Sequence, residues 1–479
     1  MANFTTLLET RWRWLLWILL SFVSVCVLST TLSPFYSYVG CDNTIYQLVG
    51  ECWLRGDLPY VDIFDNKGPY LYLFTMIGSA ICYGKMGQMI LFGLYFAVCI
   101  EFLWKIGLFL AKSKLNIILS ICVYIFFFFF LNGDTINTEG YSQLFLLIPM
   151  YLFIRFMRND VSVGKYLGFV TGMCFGVIAL IRINNTHILL AIVICMFVYY
   201  CKNKLYKELF RQILLFVGGT VLTTLPMLAY FYSNNALSEL FYCNFSYNIN
   251  YAFVWANIDK VNTINDKLVI LFILLLSIII GLRSLWKNRF CYIFSFVLIS
   301  FFTFALDFIN GAGYYHYTSL VIPCVYVALI SINLVNQSLS SFALCSILFT
   351  NYGYCYSYIF WCCILGKVQY DHSFIPVFDN LISNSESVFA YNASLRDNIV
   401  FSELKITPAM RISYLTEMCV QVDEKMKTEV NEYLESERPK WIMAREWKNP
   451  LFTEMIKDYE LVYEKSGLML YKLNNIDKL

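Results

Sequence analysis

The chain has 479 residues, of which 59% are hydrophobic and only 14% charged, against roughly 25% charged in an ordinary soluble domain. Its 35 Lys and Arg and 33 Asp and Glu leave a net charge of +2, with no basic tract, so nucleic acid is not an expected partner. A soluble fold of this length cannot hide so many large apolar side chains, and the chain reads as an all-α polytopic membrane protein.

The first apolar run, 14–32, follows Arg11 and Arg13 and has no small-residue cleavage site after it. This predicts an uncleaved span and not a signal peptide. Further spans are expected near 87–110, 115–131, 141–157, 166–181, 187–200, 209–231, 268–285, 291–308, 317–335 and 341–363, about eleven in all. An odd number places the two termini on opposite sides. With the N-terminus cytoplasmic, the inside segments carry 15 Lys and Arg, and the outside loops before residue 364 carry six. The positive-inside rule therefore sets the N-terminus inside and the C-terminus outside.

The run 69–83 is too short for a span, and letting it cross would invert every later loop. It reads as an amphipathic or re-entrant helix at the outer surface, closing a long first outer loop, 33–85. Just before it stands VDIFDNKGPYLY at 61–72, with two aspartates, a lysine and a Gly-Pro break at the mouth of an apolar segment. Cys41 and Cys52 flank part of this loop, and a disulfide between them is one alternative there. Most of the 17 cysteines lie in apolar runs, where small buried hydrophobes are the expected role.

From residue 364 the composition changes, with 14 Lys and Arg and 18 Asp and Glu. Strand-like runs SVFAY, KWIMA, YELVYE and LMLYKL accompany a polar helix near 423–436. Residues 366–479 are thus expected to form a small extracytoplasmic α/β domain after a transmembrane domain at 1–365. No nucleotide-binding glycine loop precedes its helices.

Several acids lie just where a span ends: Asp42 after the first, Asp134 and Glu139 after the third. A carboxylate at the acyl boundary is costly unless paired or facing a wet cavity, which makes it a functional candidate. The three histidines, His187, His316 and His372, fall in different regions, and no metal constellation stands out.

The stretch CDNTIYQLVGECWLRGDLPYVDIFDNKGPYLY resembles the first outer loop of the GT-C glycosyltransferases. The nearest branch is the bacterial family 39/83-like group, relatives of protein O-mannosyltransferases and aminoarabinose transferases. Three further blocks agree in order: NTEGYSQLFLL at 137–147, GAGYYHYTSLVIP at 311–323, and TPAMRISYLTE at 407–417 with RPKWIMA at 438–444. The family usually has a double proline after the lysine, where this chain has Lys67-Gly68-Pro69. Ile45 stands where some relatives carry an arginine for the donor phosphate.

The resemblance implies transfer of a sugar from a polyprenyl-phosphate donor to a hydroxyl of a glycan, lipid or protein acceptor, with inversion, outside a bacterial inner membrane. It implies Asp42 as the base and Lys67 as the donor-phosphate ligand. Glu139 is expected to contact the acceptor or an ion, and His316 to meet the donor phosphate or sugar. Asp62, Asp65, Arg182, Tyr314, Tyr315 and Tyr317 are expected to line the substrate site. A divalent cation on Asp42, Glu139 or a neighbouring carboxylate is compatible with the pattern. Chemistry agrees with one base, because a phosphate leaves already anionic and needs a cation where a glycosidase needs a second acid. The plain alternatives are helix-capping aspartates and an interfacial lysine. At the level of function they are a glycolipid or polysaccharide transporter, or a non-catalytic component of a cell-surface polysaccharide assembly system. A transporter predicts internal repeats and charges within the spans, and neither is visible.

Overall fold

The computed structural model describes residues 12–35, 41–111, 113–131, 135–158, 163–258, 373–383 and 386–474, with four more positions between 323 and 330. The spans expected at 268–285, 291–308 and 341–363 lie outside the described residues, as does nearly all of 317–335. Contacts divide the chain into two compact units. One comprises residues 1–36, 89–229 and 259–367, the other 37–88, 230–258 and 368–479.

In the first unit the apolar runs form helices where their length predicts them. Among the described residues four are long and apolar enough to cross a membrane: Lys85–Leu110, Thr138–Met157, Gly164–Arg182 with its 3-10 continuation to Thr186, and Tyr206–Ser233. Shorter apolar helices occupy Trp12–Leu28, Lys114–Leu131 and His187–Lys202, where spans were expected at 14–32, 115–131 and 187–200. The first ends earlier than expected because hydroxyls take over its carbonyls and amides. Ser33 Oγ donates to Cys26 O at 2.5 Å, and Leu32 N–H donates to Ser29 Oγ at 3.0 Å. A buried aromatic cluster of Phe92, Phe96, Tyr124, Phe128 and Tyr141 fills the space between helices. At another level the buried Glu101 carboxylate accepts from Arg13 Nε and Nη2 at 3.0 and 2.9 Å and from Trp17 Nε1 at 2.9 Å. A charge buried in an apolar helix is tolerable only when paired in this way.

Helices Gly164–Arg182 and Tyr206–Ser233 touch along their backbones. Gly164, Gly168, Gly172 and Gly176 recur every fourth residue and so share one helix face. A Cβ on Gly172 would overlap the Phe216 carbonyl, which explains why only hydrogen fits. Gln212 seals the contact, accepting from Gly168 N at 2.8 Å and donating to Gly164 O at 2.6 Å. Small residues that admit backbone contact are what packing without a hydrophobic drive requires.

The second unit carries a four-stranded sheet in the order β1-β2-β4-β3, with β1 at Val388–Tyr391, β2 at Trp441–Ala444, β3 at Tyr459–Lys465 and β4 at Leu468–Leu473. β1 and β2 run parallel, and β2 and β3 each lie antiparallel to β4. The helix Glu424–Ser436 lies in the crossover between β1 and β2, buries Met426, Val430 and Leu434 at four-residue spacing, and starts at an Asp423 cap. A two-residue turn with Ser466 and Gly467 at positive φ joins β3 to β4, as a tight hairpin of type I′ requires.

Two further helices of this unit come from the first outer loop, Cys41–Arg55 and Pro69–Ile81. The second has 13 residues, about 20 Å of rise, too short for a hydrocarbon core of roughly 30 Å. Gly50 lets the two helices meet, since a side chain there would strike Thr75, whose hydroxyl donates to Tyr46 O at 2.8 Å. The disulfide alternative is corrected here. Cys41 and Cys52 belong to one helix, about 16 Å apart along its axis at 1.5 Å per residue, and Cys52 is a free, buried thiol whose burial pushes it up to about 12.

Candidate active site

The loop between these two helices is built by residues far away in sequence. Tyr60 has a φ of 73°, a left-handed conformation that costs a bulky residue on the order of 1–3 kcal/mol. It is held there from several sides. Its N–H donates to Ile63 O at 2.8 Å, and its carbonyl accepts from Arg411 Nη1 at 2.6 Å. Its ring lies against Tyr72 and Phe231. Phe64 N–H then donates to Arg411 O at 2.8 Å, so Arg411 grips the loop with both its main chain and its side chain.

Arg411 is itself fixed by charge. Its guanidinium pairs bidentately with Glu429 and donates to Glu239 at 3.0 Å, while Lys425 donates to the other Glu239 oxygen at 2.8 Å. Burial opposes the Arg411 charge, but the two carboxylates outweigh it and hold the guanidinium proton more tightly than usual. Beside this cluster opens a cleft of about 630 Å³, lined by Asp57, Asp62, Glu239, Arg411, Glu429 and Tyr433 among others.

Asp65 is buried, and each of its oxygens accepts a tyrosine hydroxyl. Tyr72 donates at 2.6 Å and Tyr414 at 2.8 Å. Asn66 is tied by its carbonyl to Asn248 Nδ2 at 2.8 Å. Lys67 follows, its Nζ donating to Asn66 Oδ1 at 2.5 Å. Gly68 is the extended N-cap and Pro69 the first residue of the next helix, which needs no N–H there. Lys67 thus stands at the positive end of a helix dipole.

Asp42 lies in the first turn of Cys41–Arg55, half-buried, with the Tyr46 hydroxyl at 3.4 Å. Asp62 accepts from Leu58 N at 2.6 Å as a loop cap. Nine residues after Asp42 in the same helix, Glu51 is buried and accepts from Gln47 at 2.8 Å and Ser402 at 2.6 Å. Burial raises its carboxyl above the ordinary value, and the hydrogen bonds offset this only in part.

In the first unit the structure brings together two expected residues, Glu139 and Arg182. Glu139 stands in the first turn of Thr138–Met157, capped by Asn137, and Arg182 ends Gly164–Arg182. Arg182 Nη1 donates to Glu139 Oε1 at 2.9 Å, and Asn185 Nδ2 donates to Ser142 Oγ at 3.0 Å one turn further on. His316, Tyr314, Tyr315 and Tyr317 lie outside the described residues, and so does Asp134. Among the described residues no group of three or more His, Cys, Asp and Glu side chains is placed to hold a metal ion.

The residues that the sequence did not single out are Tyr60, Tyr72, Arg411 and Tyr414. Arg411 and Tyr414 belong to the block TPAMRISYLTE, and Tyr60 and Tyr72 flank the Asp-Asn-Lys stretch. Their signal was position inside those blocks, since nothing local marks which tyrosine reaches a carboxylate.

No family model and no curated protein matches the chain. Solved structures do match, at the level of fold. The crystal structure of ArnT from Cupriavidus metallidurans bound to undecaprenyl phosphate aligns with a TM-score of 0.61 and 11% identity, over 95% of this chain and 97% of that one. An oligosaccharyltransferase from Archaeoglobus fulgidus, in complex with Zn and sulfate, aligns with a TM-score of 0.52 and 12% identity, over 96% and 73%. The chain therefore shares the fold of these two structures, as the resemblance of its first outer loop to the GT-C glycosyltransferases implies.

Proposed function

We propose that this chain is a membrane glycosyltransferase that takes a sugar from a polyprenyl-phosphate donor and passes it to an acceptor hydroxyl at the outer face of a bacterial inner membrane. The observation that carries the reading is a GT-C fold shared over almost the whole of both chains with a protein bound to undecaprenyl phosphate. The Lys67 loop adds chemical support, a cation held beside a helix N-terminus.

In this mechanism the Asp42 carboxylate takes the proton of the acceptor hydroxyl, a step worth typically 10²–10⁴-fold. The acceptor oxygen attacks the anomeric carbon from the face opposite the phosphate, forming the new glycosidic bond with inversion. The bond from that carbon to the phosphate oxygen breaks, and polyprenyl phosphate leaves as an anion. Lys67 and the amide dipoles behind Gly68 stabilise the charge that gathers on it. Glu139 and Arg182 serve the acceptor or donor side as a pair, with Asp62, His316, Tyr314, Tyr315 and Tyr317 as further substrate contacts and Asp65 orienting the Lys67 loop. The N-terminus is cytoplasmic and residues 366–479 are extracytoplasmic.

The test uses purified full-length protein, membrane extract and radiolabelled polyprenyl-phosphate sugars. Consumption of one donor by the natural sequence, lost in Asp42→Asn while folding is kept, is the expected result. Equal turnover by both would remove Asp42 from the reaction, and consumption by neither would remove the enzyme reading.

A further inference from the structure

Lys67 is gripped at both ends of its main chain by tyrosine hydroxyls. Tyr60 donates to the Lys67 carbonyl at 2.8 Å, and the Lys67 N–H donates to Tyr72 Oη at 3.1 Å. Both tyrosines are fully buried. The direction of the chain of bonds is fixed by chemistry. A carboxylate only accepts, so Asp65 takes the Tyr72 proton, which turns a lone pair of that hydroxyl toward the Lys67 N–H. Tyr414 fills the second Asp65 oxygen, which leaves Asp65 one orientation. Tyr60 supplies the other grip from a strained left-handed backbone, which persists only where its surroundings over-determine it.

We propose that Tyr60, Tyr72 and Tyr414, ordered around Asp65, are positioning residues that hold the Lys67 backbone so that its ammonium meets an anionic lipid phosphate in one place. The inference rests on the reading of Lys67 as the donor-phosphate ligand. The long lysine side chain then moves about a fixed root, and the entropy of ordering the loop is met during folding and not on binding. Tyr414 comes from the C-terminal region, so that region helps to shape the Lys67 loop through Asp65.

The experiment measures binding of radiolabelled undecaprenyl phosphate to the full-length protein in nanodiscs. It compares the natural sequence, Tyr72→Phe, Tyr414→Phe, Lys67→Ala and both Tyr→Phe changes in the Lys67→Ala background, with thermal unfolding of each. Either tyrosine change is expected to weaken binding about tenfold, the effect of losing one buried hydrogen bond. In the Lys67→Ala background neither change weakens it further, because residues acting through one side chain are not additive. Two variants are used so that one misfolded protein does not decide the matter. Unchanged binding in folded Tyr72→Phe and Tyr414→Phe, or losses that simply add to that of Lys67→Ala, overturns the positioning role alone. Full binding by Lys67→Ala overturns the donor-phosphate reading and this inference with it.

Discussion

Arg182 donates to Glu139 at 2.9 Å, so the last turn of one apolar helix neutralises a carboxylate in the first turn of another. The Glu139 side chain is 2% exposed. Replacing Arg182 by Met takes the paired cation away from that buried carboxylate, which is expected to cost up to about 3–5 kcal/mol. Adding Glu139→Gln is expected to recover most of it. Denaturant unfolding in detergent checks this, and an unshifted midpoint for Arg182→Met would show that the pair is not holding the helices.

Gly172 offers a sharper packing test. In Gly172→Leu the side chain must displace the Phe216 backbone, and overpacking of this kind costs about 1–3 kcal/mol. Gly218 is the control, because a methyl there meets nothing within 4 Å. Gly218→Ala is expected to be neutral or to stabilise by up to about 1 kcal/mol through helix propensity. Thermal aggregation of the two variants side by side should separate them clearly.

Much of this fold was legible in sequence because its signals are local. Run length marked the apolar helices, Gly68-Pro69 marked the start of Pro69–Ile81, and the four short β-rich runs became β1 to β4 almost residue for residue. The polar helix expected near 423–436 formed at Glu424–Ser436. The site was legible only in part. Glu139 and Arg182 were each candidates, but their pairing across 43 residues is tertiary. Tyr414 meets Asp65 across 349 residues, and no local pattern encodes such a meeting. Cys41 and Cys52 misled because their helix is short and polar enough to read as loop.

Acid and base should act on the second unit with opposite sign. Partial burial works against the Glu239 charge, but Lys425 and Arg411 outweigh it and hold the carboxyl below its ordinary value. A depressed folded value gives stability that is present above the ordinary carboxylate range, roughly pH 4.3, and lost as pH falls through the folded value. Burial raises Glu51, so its contribution is present below that range and lost as pH rises through the folded value. Unfolding temperature followed over about pH 3 to 8 is expected to lose part of its acid-side fall in Glu239→Gln and part of its decline above the carboxylate range in Glu51→Gln.

Arg411→Lys keeps the charge and loses the fork. A lysine offers a point charge and cannot pair bidentately with Glu429 while also reaching Tyr60 O and Glu239. Each hydrogen bond lost from a charged donor is worth about 1.5–3 kcal/mol. Released from Arg411, Tyr60 is expected to relax from its positive φ, and the 57–67 loop to become the first site of limited proteolysis. Cleavage at the natural rate would show that the loop holds without the guanidinium.

The partnership of Asp65 with Tyr414 also sets a clock. The two residues are 349 positions apart, and a ribosome working at about 5–20 residues per second needs roughly 20–70 s to travel between them. For that interval the Lys67 loop is already synthesised while the hydroxyl that finishes it does not yet exist. A chain interrupted anywhere before residue 414 therefore carries the loop without its final fastening, and synthesis of the segment around Tyr414 decides when the first outer loop is complete.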